Sequence, residues 1–260
     1  MRFASLGSGS KGNATIIDSG ETSILVDCGF ALKTIVSRLD DLEIAANEIS
    51  AIVVTHEHSD HWKGVNAFSE RYNIPVLLSA GCSRARGIEF DSARFTIIDC
   101  HKPFVVGDLH ILPVPVPHDA NEPIQYVVTS DGYKLGILTD LGHYTPHVIA
   151  SYTGCDGMIL ECNYDEKMLL SGPYPSFLKK RVGGNFGHLS NRQAGQLLSK
   201  IDLSHLQVLV LGHISESNND HGIVKSEIEQ LIPGSATLAL ANQDNVSGWF
   251  HLKRDTDNTF

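Results

Sequence analysis

The sequence has no apolar run approaching the ~18 residues of a transmembrane helix, so we expect no membrane-spanning segment. Residues 1–6 resemble the start of a strand and lack the apolar core and cleavage site of a secretory signal. Cysteine is scarce: the five residues are irregularly spaced, odd in number and without a Cys-x-x-Cys pair. Together these absences predict reduced thiols and a cytoplasmic location.

Positive charge is also in short supply, with 20 Lys and Arg against 30 Asp and Glu and a formal net charge of -10. This balance argues against a protein that binds nucleic acid over much of its surface, because phosphate contacts require Lys and Arg. It leaves room for a local site, since bound metal ions add positive charge that the count omits. Linkers, low-complexity segments and clear tandem repeats are absent too, so we predict one domain over residues 1–260.

Two catalytic signatures are missing. Without a Gly-x-Ser-x-Gly elbow, the sequence does not suggest a serine nucleophile. Without the helical His-Glu-x-x-His pattern, it does not suggest a zinc protease of that type. The chain instead carries a different histidine cluster, His56-x-His58-x-Asp60-His61, directly after an apolar stretch.

This cluster predicts a strand that ends in a metal-binding loop. Side chains two residues apart lie on the same side of an extended backbone, so His56 and His58 can share one cation. A turn at Asp60 and His61 can direct these two towards a second cation. Imidazole and carboxylate ligands suit zinc, iron or manganese better than calcium or magnesium. The competing interpretation is a polar loop in a chain that has 13 histidines.

Three further ligand-type residues each follow an apolar run. His118 follows residues 112–117, Asp140 follows 136–139 and His213 follows 208–212. Ligands that converge on a metal site commonly lie where strands end at a shared rim. Taken singly, each of these residues would be read as an ordinary surface residue.

The apolar pattern predicts strand-rich segments followed by helix-bearing segments, occurring twice. That pattern favours an α/β (α+β) fold of two mixed β-sheets with helices outside, a four-layer αββα sandwich. Strands are predicted over residues 1–6, 14–18, 22–27, 49–55, 75–78, 95–98, 104–106, 109–116, 124–129, 134–139, 158–161, 207–212, 236–240 and 248–252, and helices over 31–39, 65–72, 191–201 and 222–231.

The ordered set of ligands resembles the metallo-β-lactamase-fold hydrolase superfamily. The resemblance spans Asp27, the 56–61 cluster, His118, Asp140 and His213. Elements 9–14, 160–165, 187–191 and 212–219 look closer still to the YycJ (WalJ) group, relatives of the PhnP phosphodiesterase and of ribonuclease Z. Residue 162, where we expect Ala in that group, is Cys.

The resemblance implies a role for each matching residue. The cofactors would be two divalent metal ions per chain, zinc first, with manganese or iron as alternatives. Asp140 would bridge them, and Asp27 would hold the metal loop without binding a cation. The implied ligands are His56, His58 and His118 for one cation and Asp60, His61 and His213 for the other.

His188 resembles the ribonuclease Z-branch histidine that contacts the scissile phosphate, and with Asp60 and Asp140 it forms the implied catalytic set. That branch also has an acid shortly before the bridging aspartate. Residues 134–139 contain none, which argues against a carboxylate–histidine pair here. Further substrate contacts are expected from Ser10, Asn13 and Asn218.

The implied function is a phosphodiesterase or nuclease, DNA exonuclease-like, with a metal-bridging hydroxide as nucleophile. The expected substrate is DNA, with RNA or a small phosphodiester left open. The alternative is a glyoxalase II-like thioesterase or a lactonase, which usually adds a C-terminal segment that is not expected here. A non-catalytic scaffold is a third option. The oligomeric state stays open, a homodimer included, and no membrane partner is expected.

Overall fold

A computed structural model describes residues 1–88 and 93–253, and the remaining parts of the predicted domain 1–260 lie outside the described residues. The described strands form two seven-stranded sheets. In chain order the strands are β1 (Arg2–Gly7), β2 (Ala14–Asp18), β3 (Ser23–Val26), β4 (Ile49–Val53), β5 (Val76–Leu78), β6 (Phe95–Ile97), β7 (Phe104–Val106), β8 (Leu109–Pro115), β9 (Ile124–Ser130), β10 (Tyr133–Leu138), β11 (Gly157–Glu161), β12 (Val208–Gly212), β13 (Thr237–Leu240) and β14 (Phe250–His251). The first sheet has the order β14-β1-β2-β3-β4-β5-β6 and the second β13-β12-β11-β10-β9-β8-β7.

The helices of the described chain are α1 (Leu32–Asp40), α2 (Ser59–Trp62), α3 (Val65–Tyr72), α4 (Ala80–Ala85), α5 (Pro146–Tyr152), α6 (Glu166–Ser171), α7 (Ser176–Val182), α8 (Asn191–Leu198) and α9 (His221–Ile228). Helix α8 begins at a capping box, in which the Ser190 hydroxyl accepts from the Gln193 backbone and the Gln193 side chain accepts from the Ser190 backbone. It ends at Leu198, three residues before the predicted end.

Buried side chains point alternately to the two faces of each sheet, which divides them among three cores. Ile16 packs towards the helices of the first sheet, whereas Ile17 packs against the second sheet. In β11, Leu160 faces α8 and α9, and Ile159 faces the first sheet. Helices α1 and α3 cover one outer face, and α5, α8 and α9 cover the other. The expected αββα sandwich is confirmed, because successive strand residues point to opposite faces.

Parallel pairing brings the ends of several strands to one rim. In the first sheet β3 and β4 run parallel, with Val26 opposite Val53. In the second sheet β10, β11 and β12 run parallel, and Glu161 at the end of β11 lies opposite Gly212. The residues that follow these strands therefore emerge at the same edge.

Five short helices, α2 and α4 to α7, were not predicted. Helix α2 has four residues and the others six or seven, and α7 has no buried side chain, so it lacks the apolar stripe that makes a helix visible in sequence. All five cysteines are buried free thiols. Among the described helices, none has the length and apolar character to cross a membrane. The predicted cytoplasmic location stays a prediction.

Candidate metal centre

The His56–His61 loop leaves β4 and turns directly into a helix. His58 precedes the first residue of α2, and its carbonyl oxygen accepts hydrogen bonds from His61 N and Trp62 N, both at 3.0 Å. This helical turn moves Asp60 and His61 away from the extended segment that carries His56. The loop therefore presents its ligand-type side chains in two directions, as its sequence predicts.

One group of ring nitrogens comes from His56, His58 and His118, which we call the first half-site. His56 Nε2 lies 3.0 Å from His58 Nδ1, and His118 Nε2 lies 3.3 Å from the same atom. The structure thus joins a histidine that follows β8 to two histidines that follow β4.

A second group comes from Asp60, His61 and His213, which we call the second half-site. Asp60 Oδ2 lies 3.5 Å from His61 Nε2 and 3.6 Å from His213 Nε2. Asp140 lies between the two half-sites, with Oδ2 3.1 Å from His61 Nε2 and Oδ1 4.0 Å from His118 Nε2. This is the position that a bridging carboxylate requires.

In the first half-site, hydrogen bonds to neighbouring groups occupy one ring nitrogen of each histidine and leave the other ring nitrogen free to bind a cation. His118 Nδ1 donates to the carbonyl oxygen of Gly187 at 2.9 Å, so Nε2 is left without a proton. His58 Nε2 donates to the Asp119 carbonyl oxygen at 3.2 Å, which leaves Nδ1 free. Thr55 Oγ1 donates to Asp27 Oδ2, so it accepts from His56 Nδ1 at 3.0 Å and leaves Nε2 free. All three free nitrogens face one another.

The second half-site is oriented by carboxylates. Asp27 Oδ2 lies 2.7 Å from His61 Nδ1, and Asp140 Oδ1 lies 3.0 Å from His213 Nδ1. Asp27 also accepts from Thr55 N at 2.8 Å. It does not cap α1, whose first turn has no side-chain cap at Ala31. Such outer partners fix the ring orientation of metal-binding histidines.

His213 adopts a left-handed backbone conformation, with a φ of 52°. Its N–H donates to Ser8 Oγ at 2.8 Å, and its carbonyl oxygen accepts from Asn163 Nδ2 at 2.9 Å. These two hydrogen bonds hold a conformation that is unfavourable for a residue with a Cβ. They turn the imidazole back towards Asp60.

The residues present fit bound cations. Asp140 Oδ2 is buried, and its 3.1 Å contact with His61 Nε2 lacks the geometry of a hydrogen bond. Buried carboxylate oxygens require a partner, and a metal ion is one. Ring nitrogens that face one another at 3.0 and 3.3 Å are likewise placed to share a cation. The histidine and carboxylate donors suit zinc and related metals.

The two half-sites differ in charge. Burial lowers the pKa of His56 well below its ordinary value and lowers that of His118, so both are neutral. Burial also opposes protonation of His61 and His213. There, however, Asp140 and the neighbouring carboxylates outweigh it and raise both pKa values well above the ordinary one. The second half-site therefore holds protons that a cation must displace.

His188 is paired with a carboxylate, contrary to the sequence argument. Its Nδ1 lies 2.6 Å from Glu161 Oε1, and Glu161 is fully buried. Glu161 Oε2 accepts from Leu141 N and Leu189 N, both at 3.1 Å. The acid is not among the residues before Asp140 but lies at the end of the neighbouring parallel strand β11.

The expected substrate contacts divide into two groups. Ser10 is exposed and lines the cavity over the metal centre. Asn13 is buried, and its Nδ2 lies 3.1 Å from His61 Nε2 and 3.3 Å from Asp60 Oδ2, so it touches the ligands instead. Asn218 is fully buried and packs against Gly172, and the cavity lining does not include it. The structure thus separates Asn13 and Asn218 from the cavity, because both side chains point into the protein.

The cavity has a volume of about 380 Å³ and opens directly over the centre. Its lining includes Asp60, Asp140, His188 and His213. One side is formed by Leu178 and Arg181 of α7.

Thr55 was missed by the sequence analysis. Its position directly before His56 was the only signal, and its link to Asp27 depends on the fold.

Comparison with known proteins places this geometry in a family. Residues 22–214 match the protein-family model described as Beta-lactamase superfamily domain. The exodeoxyribonuclease YycJ of Bacillus anthracis is 30% identical over 237 residues, which cover 89% of each chain. The exodeoxyribonuclease WalJ of Streptococcus pneumoniae is 30% identical over 224 residues, covering 84% of this chain and 83% of that protein.

Solved structures show the same fold at lower identity. The metallo-β-lactamase-fold protein YhfI from Bacillus subtilis is 17% identical, with a TM-score of 0.73 over 94% of this chain and 98% of that one. A diphosphatase of the PhnP family reaches a TM-score of 0.68 at 17% identity over 98% and 99%. The short form of human tRNase Z reaches 0.65 at 17% identity over 98% and 100%. The chain therefore belongs to the β-lactamase superfamily, in the group of the YycJ and WalJ proteins.

Proposed function

We propose that this chain is a metal-dependent phosphodiesterase that degrades DNA as an exonuclease. The observation that carries the proposal is His188, held by buried Glu161 at 2.6 Å beside the two half-sites. A histidine in that position suits a reaction in which charge develops on oxygen next to bound cations. The two relatives at 30% identity are exodeoxyribonucleases, which supports DNA as the substrate.

Two divalent cations would be held by the half-sites, with Asp140 shared between them. Zinc is the first choice for this donor set, and manganese or iron are the alternatives. When bound, such cations supply Lewis acidity and lower the pKa of water towards ~7. Asp60 and Asp140 contribute negative charge that fixes the cations, and Asp27 and Thr55 hold the ligand loop in place.

His188 acts on the substrate side. Glu161 accepts at Nδ1, so Nε2 is the ring nitrogen left to face a phosphate oxygen. An N–H at Nε2 would donate to a phosphate oxygen and would be placed to deliver its proton to the leaving oxygen. Ser10 in the cavity lining is placed to contact the substrate beside it.

A thioesterase or lactonase uses the same donor set, but the similarity to exodeoxyribonucleases favours a phosphodiester. The test is cleavage of 5′-labelled single- and double-stranded DNA after reconstitution with zinc, manganese or iron. RNA and bis(p-nitrophenyl) phosphate report on the other phosphodiesters, and S-lactoylglutathione reports on the alternative. Absence of cleavage for every phosphodiester under every metal would overturn the proposal.

The matched variant is His188→Ala, because this histidine is not a member of either half-site. We expect a loss of DNA cleavage of roughly 10²- to 10⁴-fold, the range of a general acid. Metal content measured by mass spectrometry should stay that of the unmodified protein. An activity unchanged by this substitution would contradict the role given to His188.

A further inference from the structure

The segment around α7 is positively charged, whereas the chain as a whole is negatively charged. Residues 170–190 contain two Lys and one Arg and no Asp or Glu, in a chain whose net charge is -10. The three cations, Lys179, Lys180 and Arg181, form the last turn of α7. A cluster of this sign provides contacts for phosphates that the rest of the chain largely lacks.

The same segment exposes large apolar side chains. Leu170 is 74% exposed, Phe177 72% and Phe186 60%, and only Val105 and Leu231 join them among the described residues with large exposed hydrophobic side chains. Single exposed apolar residues are ordinary, but a concentration of them near a functional cavity marks a contact surface. Two of the three are aromatic, which suits stacking on bases.

Helix geometry connects this surface to the metal centre. Phe177, Lys180 and Arg181 are spaced i, i+3 and i+4, so they share one face of α7. Leu178, Arg181 and Val182 have the same spacing, and all three line the cavity. Arg181 belongs to both rows, and its Nε lies 2.5 Å from Asp119 Oδ2 at the cavity wall. The outer face of α7 is therefore continuous with the cavity that contains His188.

We infer that Phe177, Lys179, Lys180, Arg181 and Phe186, the α7 surface, bind single-stranded DNA and lead it to the metal centre. This inference rests on the proposed function and names the form of its substrate. Unpaired bases expose the faces that Phe177 and Phe186 can stack on, whereas a duplex buries them. Lys180 is exposed and Arg181 lies next to the cavity, so these two cations face the phosphates, whereas the Lys179 amine donates to the Leu170 carbonyl oxygen at 2.7 Å.

A second copy of the chain is the competing occupant of the α7 surface. In a two-fold dimer the same patch is used by both subunits, which would bring two segments of charge +3 close together. Like charges at that distance disfavour association. Charge complementarity and the connection to the cavity therefore favour a nucleic-acid strand.

The test is fluorescence anisotropy of a 20-nucleotide 5′-fluorescein oligothymidine with the full chain in EDTA, where cleavage is blocked. Phe177→Ala should weaken binding roughly 5- to 100-fold, the range for loss of one stacked base. Lys180→Glu should weaken binding and reduce the salt slope by about 0.7 per lost phosphate contact. Matched controls are Val105→Ala, another exposed apolar residue, and Lys33→Glu, an exposed charge on α1 at the other outer face.

A kinetic arm separates this inference from the proposed function. With manganese, both α7 variants should lower kcat/KM for single-stranded DNA and leave turnover of bis(p-nitrophenyl) phosphate unchanged. If the unmodified protein cleaves no phosphodiester but binds the oligonucleotide with the expected sensitivity, the proposed function fails and this inference stands. Equal binding by the α7 and control variants would overturn the inference, as would absence of binding by the unmodified protein. A change of sedimentation from dimer to monomer with unchanged DNA affinity would assign the surface to self-association instead.

Discussion

The two half-sites are built from the same ligand loop yet differ in protonation. In the first, burial keeps His56 and His118 neutral, and backbone carbonyls and a hydroxyl orient the rings. In the second, carboxylates raise the pKa values of His61 and His213 well above the ordinary one. Although burial opposes it, His61 and His213 hold the pKa of Asp60 well below its usual range.

This difference indicates how each half-site accepts a cation. The first offers the neutral rings of His56 and His118, whereas the second exchanges protons for metal. Asp140 contacts both, so it couples them. The affinity of each half-site for its cation can be measured by competition with a chelator. In that measurement His118→Ala identifies the cation of the first half-site, and His213→Ala identifies the cation of the second.

The largest effect is expected for Asp140→Ala, which removes the residue common to both half-sites. The buried ring of His61 would lose the carboxylate oxygen that faces its Nε2, and both cations would bind less tightly. We expect phosphodiesterase activity to fall by more than the ~10⁴-fold that a general acid contributes. The measurements are kcat/KM and metal content, with exposed Asp40→Asn as the control. Retention of both cations and of activity would remove Asp140 from the centre.

Lowering the pH should weaken the binding of the cation in the second half-site and leave that of the first nearly unchanged. Its binding displaces up to two protons, from His61 and His213, so its affinity should fall by up to about 100-fold for each pH unit near neutrality. The first cation should change little, because His56 and His118 are already neutral. Calorimetry in buffers of different ionisation enthalpy measures the protons released. Equal proton release by both cations would contradict the difference between the half-sites.

The metal-free protein should show the linked effect on stability. The folded pKa values of His61 and His213 are raised, so their contribution is fully present below the unfolded value of ~6.5. It is lost as the pH rises through the raised folded values. The midpoint of thermal unfolding in EDTA, followed from pH 6 to pH 9, should therefore decrease more than in the His213→Ala variant. A steeper decrease in the variant would show the opposite sign.

Asp27→Asn should weaken the second cation by about 10- to 100-fold, the usual cost of losing an outer partner. The substitution removes the carboxylate that faces His61 Nδ1 at 2.7 Å. Asp27 reaches the first half-site only through Thr55, so the first cation should be affected less. An equal loss for both cations would show that the Asp27–Thr55 contact supports the two half-sites alike.

The smallest effect is expected for Asn13→Ala. Its Nδ2 lies near His61 Nε2 and Asp60 Oδ2, and its Oδ1 accepts from Gly9 N at 2.8 Å. Loss of a hydrogen bond worth about 1 kcal/mol corresponds to roughly fivefold in the affinity of the second cation. A selective loss of DNA affinity with unchanged metal binding would return Asn13 to the group of substrate contacts.

Sequence pattern was sufficient for most of the fold. Strand β2 and helix α3 have the predicted bounds, because the apolar residues of each segment fit only one type of secondary structure. Helices α6 and α7 were missed because they bury one side chain and none, so burial left no periodic signal. Single-sequence periodicity reports only the elements that pack against a core.

The ligand-type residues were visible in the sequence by themselves, because metal coordination requires particular side chains at short spacing and strand ends commonly carry them. Only the tertiary structure decided their outer partners. Thr55 joins Asp27 to His56 across parallel strands, and Glu161 reaches His188 from a strand that follows Asp140 in sequence. Burial likewise separated Asn218 from the cavity. These contacts depend on strand register and packing, which bring together residues that are far apart along the chain.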